Sequence, residues 1–365
     1  MSGLNESLTR ESSMRTRLTS LLECRYPVIL AGMTGISNPR LTAAVSNAGG
    51  LGILATADLN NEQTRAAVRQ VRTLTDKPFG ANVALLFPGS EKKTEILIEE
   101  AVPVVNFSLG KNERLIRAVH DYGGRVVITV TNEKHARAAQ KSGADAIIAT
   151  GHEAAAHGGP VSSMVLIPGI VEAVEIPVIA AGGISSGRGL AAALVLGAEG
   201  VAMGTRFMNT IESPAHDGMK QMSNQKGVTD TIYSERLDGL ACRAIDSPGA
   251  RRLIRDRLYL VKALYNSRYA ARTYGFPWIK AMAGILLSGY NKSKQLARMA
   301  NAYKAVTAAI NEGDMDRGLF LMGQVTGLIN ETLSVDQVMS SVIEEARQAR
   351  LNLNNNLDNS PDNKN

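Results

Sequence analysis

From residue 28 to residue 207 one pattern repeats: a short apolar, β-branched run, a turn, then a stretch with apolar residues three and four positions apart. Eight such runs can be counted: VILAGM (28–33), LGILAT (51–56), FGANVALL (79–86), VPVVNF (102–107), RVVITV (125–130), ADAIIAT (144–150), PVIAAGG (177–183) and GVAMGTRF (200–207). Near-continuous apolar strands belong to a parallel sheet covered on its outer face. Alternating strands and helices also build open doubly wound sheets, but eight units in about 180 residues favour closure. The expected fold class is α/β: a (β/α)8 TIM barrel with an appended C-terminal helical subdomain.

Local punctuation follows the same period. In NPRLTAAVSNAGG, Asn38 can cap a helix, Pro39 suits its first turn and Gly49 ends it. After the eighth run the repeat stops, and residues 215 to about 315 read as helices without intervening strands. The expected division is an N-terminal segment (1–20), the barrel (21–240), a basic helical subdomain (241–315) and a segment returning to the barrel (316–350). The last stretch, 351–365, should be a disordered tail.

Charge is unevenly spread. The net charge of +6 is owed to residues 251–304, which hold twelve Lys or Arg against the single acid Asp256. Nucleic-acid binding needs interleaved aromatics or a recognised motif as well as charge, and neither is present, so a solvated basic helical face is the plainer reading. The longest apolar stretch, 276–290, contains Lys280 and falls short of the roughly 20 residues a membrane span takes. The N-terminus mixes acids and bases without the apolar core of a secretory signal, so a cytoplasmic location is expected. Cys24 and Cys242, the only cysteines, are not spaced as a metal or redox pair and read as ordinary thiols.

Barrels commonly bind phosphate at the loops after strands seven and eight, where glycines allow close approach and a helix N-terminus supplies free amides. Here the seventh run ends AAGGISSGRG, offering the amides of Gly182 and Gly183 with the positive end of a helix behind them. The eighth ends MGTRF, offering an amide and a hydroxyl from Gly204 and Thr205. Any one of these glycines alone would pass for a turn residue; two sites at these two positions point to a phosphate. No GxGxxG follows the first run, so a mononucleotide is expected rather than a dinucleotide.

The loop after the sixth run, TGHEAAAHGGPVSS, brings two of the five histidines to the catalytic face. A metal site of His152, His157 and Glu153 matches no standard ligand spacing, and no metal is expected. His152 reads as a polar loop residue. His157 lies among alanines and glycines that leave room for a planar cofactor, and its imidazole can act as base or cation near neutral pH; the competing reading is a structural histidine.

These segments together resemble the nitronate monooxygenase family, formerly 2-nitropropane dioxygenases, whose relatives include FMN-dependent enoyl-ACP reductases. The resemblance rests on VILAGM, NAGGLGIL, KPFGANVALL, GHEAAAHGG, AAGGISSGRGLAAALVLGAEGVAMGTRF and the late MGQVTGLINETLSV, in that order. It implies FMN held near Ala31, Gly32 and Met33, by Asn82, by Ala155 and Ala156, and by the pairs Gly182 with Gly183 and Gly204 with Thr205. His157 falls on the family's active-site histidine. The family's GxEAGGHxG pattern is departed from at Ala155 and Ala156, whose methyls narrow the space beside the flavin, and the long basic addition is absent from the shortest members.

The activity implied is oxidation of a small alkyl nitronate with dioxygen to a carbonyl compound and nitrite. His157 would hold the anionic nitronate when protonated, or remove the α-proton of a nitroalkane when neutral. The alternative is an NAD(P)H-dependent FMN reductase acting on a quinone or an enoyl thioester, and a basic cap could attract the phosphates of a nicotinamide cofactor or an acidic carrier. The expected partners are a small-molecule substrate and dioxygen, without nucleic acid, the chain acting as a monomer or a homodimer.

Overall fold

The computed structural model describes residues 14–87, 89–155, 157–257, 259–274, 278–279 and 289–358. All eight expected strands are present: β1 Val28–Leu30, β2 Gly52–Ala55, β3 Phe79–Ala84, β4 Val104–Ser108, β5 Arg125–Val130, β6 Ala146–Thr150, β7 Val178–Ala181 and β8 Gly200–Met203. From β2 onward each pairs in parallel with the next, and β1 pairs with β8 through Val28↔Val201. The ring closes at a parallel bridge between Ile29 and Leu51, where Leu30 N–H donates to Leu51 O and Leu51 N–H donates to Val28 O, both at 3.0 Å. The fold is a (β/α)8 TIM barrel.

Successive strand residues point to opposite faces, so each strand feeds two apolar layers. Ile53, Val104, Val127, Ile148 and Ile179 fill the interior. Leu54, Val105, Val126, Ile147 and Val178 face outward under the helices. The barrel helices are α2 Pro39–Asn47, α3 Asn61–Leu74, α4 Ser90–Glu99, α5 Glu113–Asp121, α6 Glu133–Lys141, α7 Ser163–Ala173 and α8 Gly187–Val195, preceded by α1 Arg17–Leu22. Asn38 caps α2 as read, accepting from Leu41 N–H at 2.9 Å. Helix α1, started by a Thr16–Thr19 capping box, sends Leu18 and Leu22 into the interior cluster. A Cβ on Gly200 would stand 2.5 Å from Leu18 Cδ2, so β8 needs a glycine for this plug to seat.

Toward the C-terminal mouth the interior turns polar. Asn82 Nδ2 donates to Asn106 Oδ1 (2.7 Å) and to Ser108 Oγ (3.2 Å), and Asn106 Nδ2 donates to Val127 O (3.1 Å) and Thr129 Oγ1 (3.2 Å). One row of side chains across β3, β4 and β5 thus floors the mouth with satisfied hydrogen bonds, which makes a polar layer tolerable in a barrel core.

After β8 come α9 Thr205–Met208 and α10 Asp217–Gln225, then two strands that the sequence reading did not contain: β9 Thr231–Ser234 and β10 Cys242–Ile245, paired antiparallel with Cys242 opposite Ser234. The region expected to be helical throughout therefore carries a hairpin. Its strands are four residues each and carry Thr, Ser and Arg, too short and too polar to show a period. Helices α11 Pro248–Arg255, α12 Tyr259–Tyr274 and α13 Tyr290–Glu312 follow, then a 3-10 turn Gln324–Leu328 and the closing helix α14 Val335–Asp358. The tail expected to be disordered from 351 is helical to Asp358, because extending an established helix by a turn costs little; residues 359–365 lie outside the described ones. Among the described residues no helix is long and apolar enough to cross a membrane.

Candidate active site

The loop from β6 to α7 runs across the mouth and is fixed at several points. Glu153 accepts from the backbone N–H (3.0 Å) and the hydroxyl (2.8 Å) of Ser163, placing a carboxylate at the amino end of α7. His152 Nδ1–H donates to Gly159 O at 3.0 Å. His157 Nε2 lies 2.6 Å from Asp238 Oδ2. The three residues weighed as a metal set therefore face three different partners, and His152 braces its own loop through Gly159.

Asp238 is the residue the sequence did not disclose. It stands in the turn of the β9–β10 hairpin, where its other oxygen accepts from Leu240 N–H at 3.0 Å. The hairpin sits on the loop: Tyr233 OH donates to Gly158 O (2.9 Å), Arg243 Nε donates to His152 O (3.0 Å), and the His152 and Tyr233 rings meet edge to face at 4.5 Å. Arg243 is 3% exposed, and burial lowers its pKa. Gly239, at φ +94°, has no room for a Cβ, which would stand 2.7 Å from Gln295 O, so the turn is pressed against α13.

Because a carboxylate can only accept, His157 Nε2 is the donor in this pair, and in the neutral imidazole Nδ1 is the nitrogen with the lone pair. Nδ1 has no protein partner among the described residues. A histidine so oriented can take a proton at Nδ1, with Asp238 stabilising the cation that results. The Cys242 thiol lies within 4.8 Å of both groups. Burial, then the Asp238 charge, raise its pKa well above the usual thiol value, so it stays protonated. Burial likewise pushes the Cys24 thiol up to about 11.

The described residues among those expected around a cofactor lie at the same mouth. Gly182 (φ +102°) and Gly183 (φ +72°) adopt conformations that suit glycine, and a Cβ on Gly182 would be 3.2 Å from Ala154 N, Gly151 O and Ser163 Oγ. Among the described residues the amides of Gly182, Gly183, Gly204 and Thr205 donate to no protein acceptor. Thr205 Oγ1 accepts from Gly323 N–H at 3.0 Å, which leaves its proton free to donate. Ala31 N–H donates to Met203 O at 3.1 Å, and Met33 Sδ lies 3.4 Å from where a Gly204 Cβ would be, so the first and eighth loops adjoin. Gly32 passes over Asn82, whose Cβ would be 2.5 Å from a Gly32 Cβ. Ala155 backs onto Gly323, where a Cβ would be 3.2 Å from Ala155 N; Ala156 lies outside the described residues. At the amino end of α8, which the sequence reading placed behind these glycines, the first amide is already taken: Gly187 N–H donates to Glu345 Oε2 of the closing helix at 2.9 Å.

Fold, site and relatives together define a barrel enzyme of oxidoreductase type. The chain matches the nitronate monooxygenase family over residues 15–345 and belongs to that family. It is 37% identical over 341 residues to a (3aS,4S,5R,7aS)-5-hydroxy-7a-methyl-1-oxo-octahydro-1H-indene-4-carboxyl-CoA dehydrogenase of Rhodococcus jostii, covering 92% of this chain and 96% of that one. A probable nitronate monooxygenase of Staphylococcus aureus is 34% identical over 279 residues, covering 64% of this chain and 79% of that one. The solved structure of FabK from Thermotoga maritima superposes with a TM-score of 0.78 at 35% identity, covering 93% of this chain and 99% of that one.

Proposed function

We propose that this chain is an FMN-dependent oxidoreductase that oxidises the hydroxyl of a hydroxyacyl thioester of coenzyme A to a carbonyl, with His157 as its proton acceptor. The observation that carries the reading is the His157–Asp238 pair, an oriented base at 2.6 Å from its carboxylate, beside four unpartnered amides suited to a phosphate. FMN fits these groups: Gly182, Gly183, Gly204 and Thr205 would hold its phosphate, while Asn82, Gly32 and the Ala31–Met33 loop would border its ring. FMN is preferred over FAD because no adenosine-binding motif is evident in the sequence. When bound, the flavin supplies a two-electron acceptor for hydride. His157 Nδ1 takes the proton of a substrate hydroxyl, and Asp238 holds the ring in the tautomer that can do so.

The thioester substrate is favoured by coverage. A match over 92% of the chain cannot leave out residues 241–315, whereas the Staphylococcus aureus relative matches 64%. The family match favours a second reading, oxidation of alkyl nitronates with dioxygen to carbonyl compounds and nitrite. Anaerobic mixing of the yellow protein with hydroxyacyl-coenzyme A thioesters, with propionate 3-nitronate, and with NADH or NADPH separates the readings. Bleaching by a thioester supports the first. Reaction with nitronate alone replaces it with the second, and bleaching by a nicotinamide alone makes the protein a flavin reductase.

A further inference from the structure

The appended segment holds charge that chemistry at His157 does not use. Helix α11 and the residues after it carry Arg251, Arg252, Arg255, Arg257 and Lys262 around a groove of about 790 Å3. Two acids share it: Asp246 accepts from Arg251 through both oxygens at 2.7 Å, and Asp256 pairs with Lys262 at 2.7 Å. Arg252, Arg255 and Arg257 have no acidic partner among the described residues, and all three are exposed. Three guanidinium forks facing a concave surface, without carboxylates to neutralise them, suit phosphate oxygens.

The groove also lies at a defined distance from the site. Its near wall begins at Asp246, which directly follows β10, and Cys242 at the other end of that strand has its thiol within 4.8 Å of His157. Four residues of extended strand span about 13 Å at ~3.3 Å each. The pantetheine arm between a thioester sulfur and the diphosphate of coenzyme A is about as long as four residues of extended chain, ~14 Å. A nicotinamide nucleotide separates its reactive ring from its diphosphate by a single ribose, well short of that span.

We infer that this groove binds the phosphates of a coenzyme A thioester whose acyl group lies at His157, with Arg252, Arg255 and Arg257 as the contacts. The inference rests on the thioester reading above. The test is calorimetric titration of the flavin-loaded, full-length protein with free coenzyme A, 3′-dephospho-coenzyme A and NADPH, comparing wild type with Arg252→Glu/Arg255→Glu and with Arg252→Ala/Arg255→Ala. Coenzyme A affinity should fall at least tenfold in the charge-reversed variant, fall less in the alanine variant, exceed that of the dephospho form in wild type, and weaken with salt. No binding to wild type, equal binding to wild type and the charge-reversed variant, or a loss confined to NADPH would each overturn the assignment. Turnover of a hydroxyacyl-coenzyme A thioester by wild type is measured separately. If it is absent while coenzyme A still distinguishes the variants, the substrate reading fails and the phosphate groove stands.

Discussion

His157 and Asp238 meet at 2.6 Å although 81 residues separate them in the chain, and the hairpin that carries Asp238 also holds the backbone of the histidine's own loop at Gly158 and His152. One element thus sets both the direction of the imidazole and the path of the loop that bears it. A change in the hairpin reaches the site by two routes.

Replacing His157 by Asn removes the proton acceptor and should lower turnover by about 10²- to 10⁴-fold. Asp238→Asn keeps the shape of the side chain but lets the imidazole take either tautomer, so turnover should fall by about 10²-fold or more. A purely structural Asp238 would leave the pH profile of turnover unchanged. A positioning one removes or displaces its acidic limb, and steady-state rates across pH decide between them.

Gly182→Ala forces an L residue to φ +102° and places a methyl 3.2 Å from Ala154 N and Gly151 O. The left-handed backbone alone costs roughly 1–2 kcal/mol. The variant should emerge from gel filtration with much less flavin per chain than wild type. Undiminished flavin content would remove Gly182 from the phosphate site.

Lys93 supplies a pH dependence. It is 5% exposed, donates to Thr56 O (2.7 Å) and Ala57 O (3.0 Å), and burial pushes its pKa from 10.5 down to about 8 despite the nearby Asp58 charge. Between those values the unfolded chain binds the extra proton, so wild-type stability should rise with pH through this window, the cost of the buried charge being in full force below about 8. Lys93→Met should lack that rise. Urea midpoints for both proteins at about pH 7 and about pH 10 give the comparison, and parallel curves would refute it.

Helix α14 packs on α8 so closely that a Cβ on Gly187 would lie 2.2 Å from Val342 O and 2.3 Å from Ala346 N. Both are backbone atoms, so Gly187→Ala should lift the closing helix and destabilise the protein by about 1–3 kcal/mol. Limited proteolysis should then cut within 335–358 before the barrel. Glu345→Gln, which weakens the bonds from Gly187 N–H and the Ser341 hydroxyl without displacing backbone, should cost less.

The barrel was readable because its strands are β-branched and apolar on both faces; Ile53 and Leu54, adjacent and pointing opposite ways, are both fully buried. The hairpin was not. TIYS is half-exposed and CRAI places a buried arginine in a four-residue strand, so neither carries a period, and long helices follow. Asp238 had no local signal at all, since SERLDGL is what any turn looks like, and only the tertiary approach to His157 gives it meaning. Glu153 was visible but its partner was not: the spacing argued against a metal without showing that the carboxylate accepts from Ser163 at the amino end of α7.

The order in which the chain leaves the ribosome gives the closing helix a further significance. At about 5–20 residues per second, β1 must wait for β8 before Val28 meets Val201, and only the last stretch of synthesis delivers α14 to α2 and α8. Until then Gly187 N–H lacks the Glu345 carboxylate, and apolar faces later covered by Val338, Val342 and Ile343 stand open. A message truncated before codon 335 would release a ring of eight strands with its seam unsealed, a natural client for chaperones or proteases.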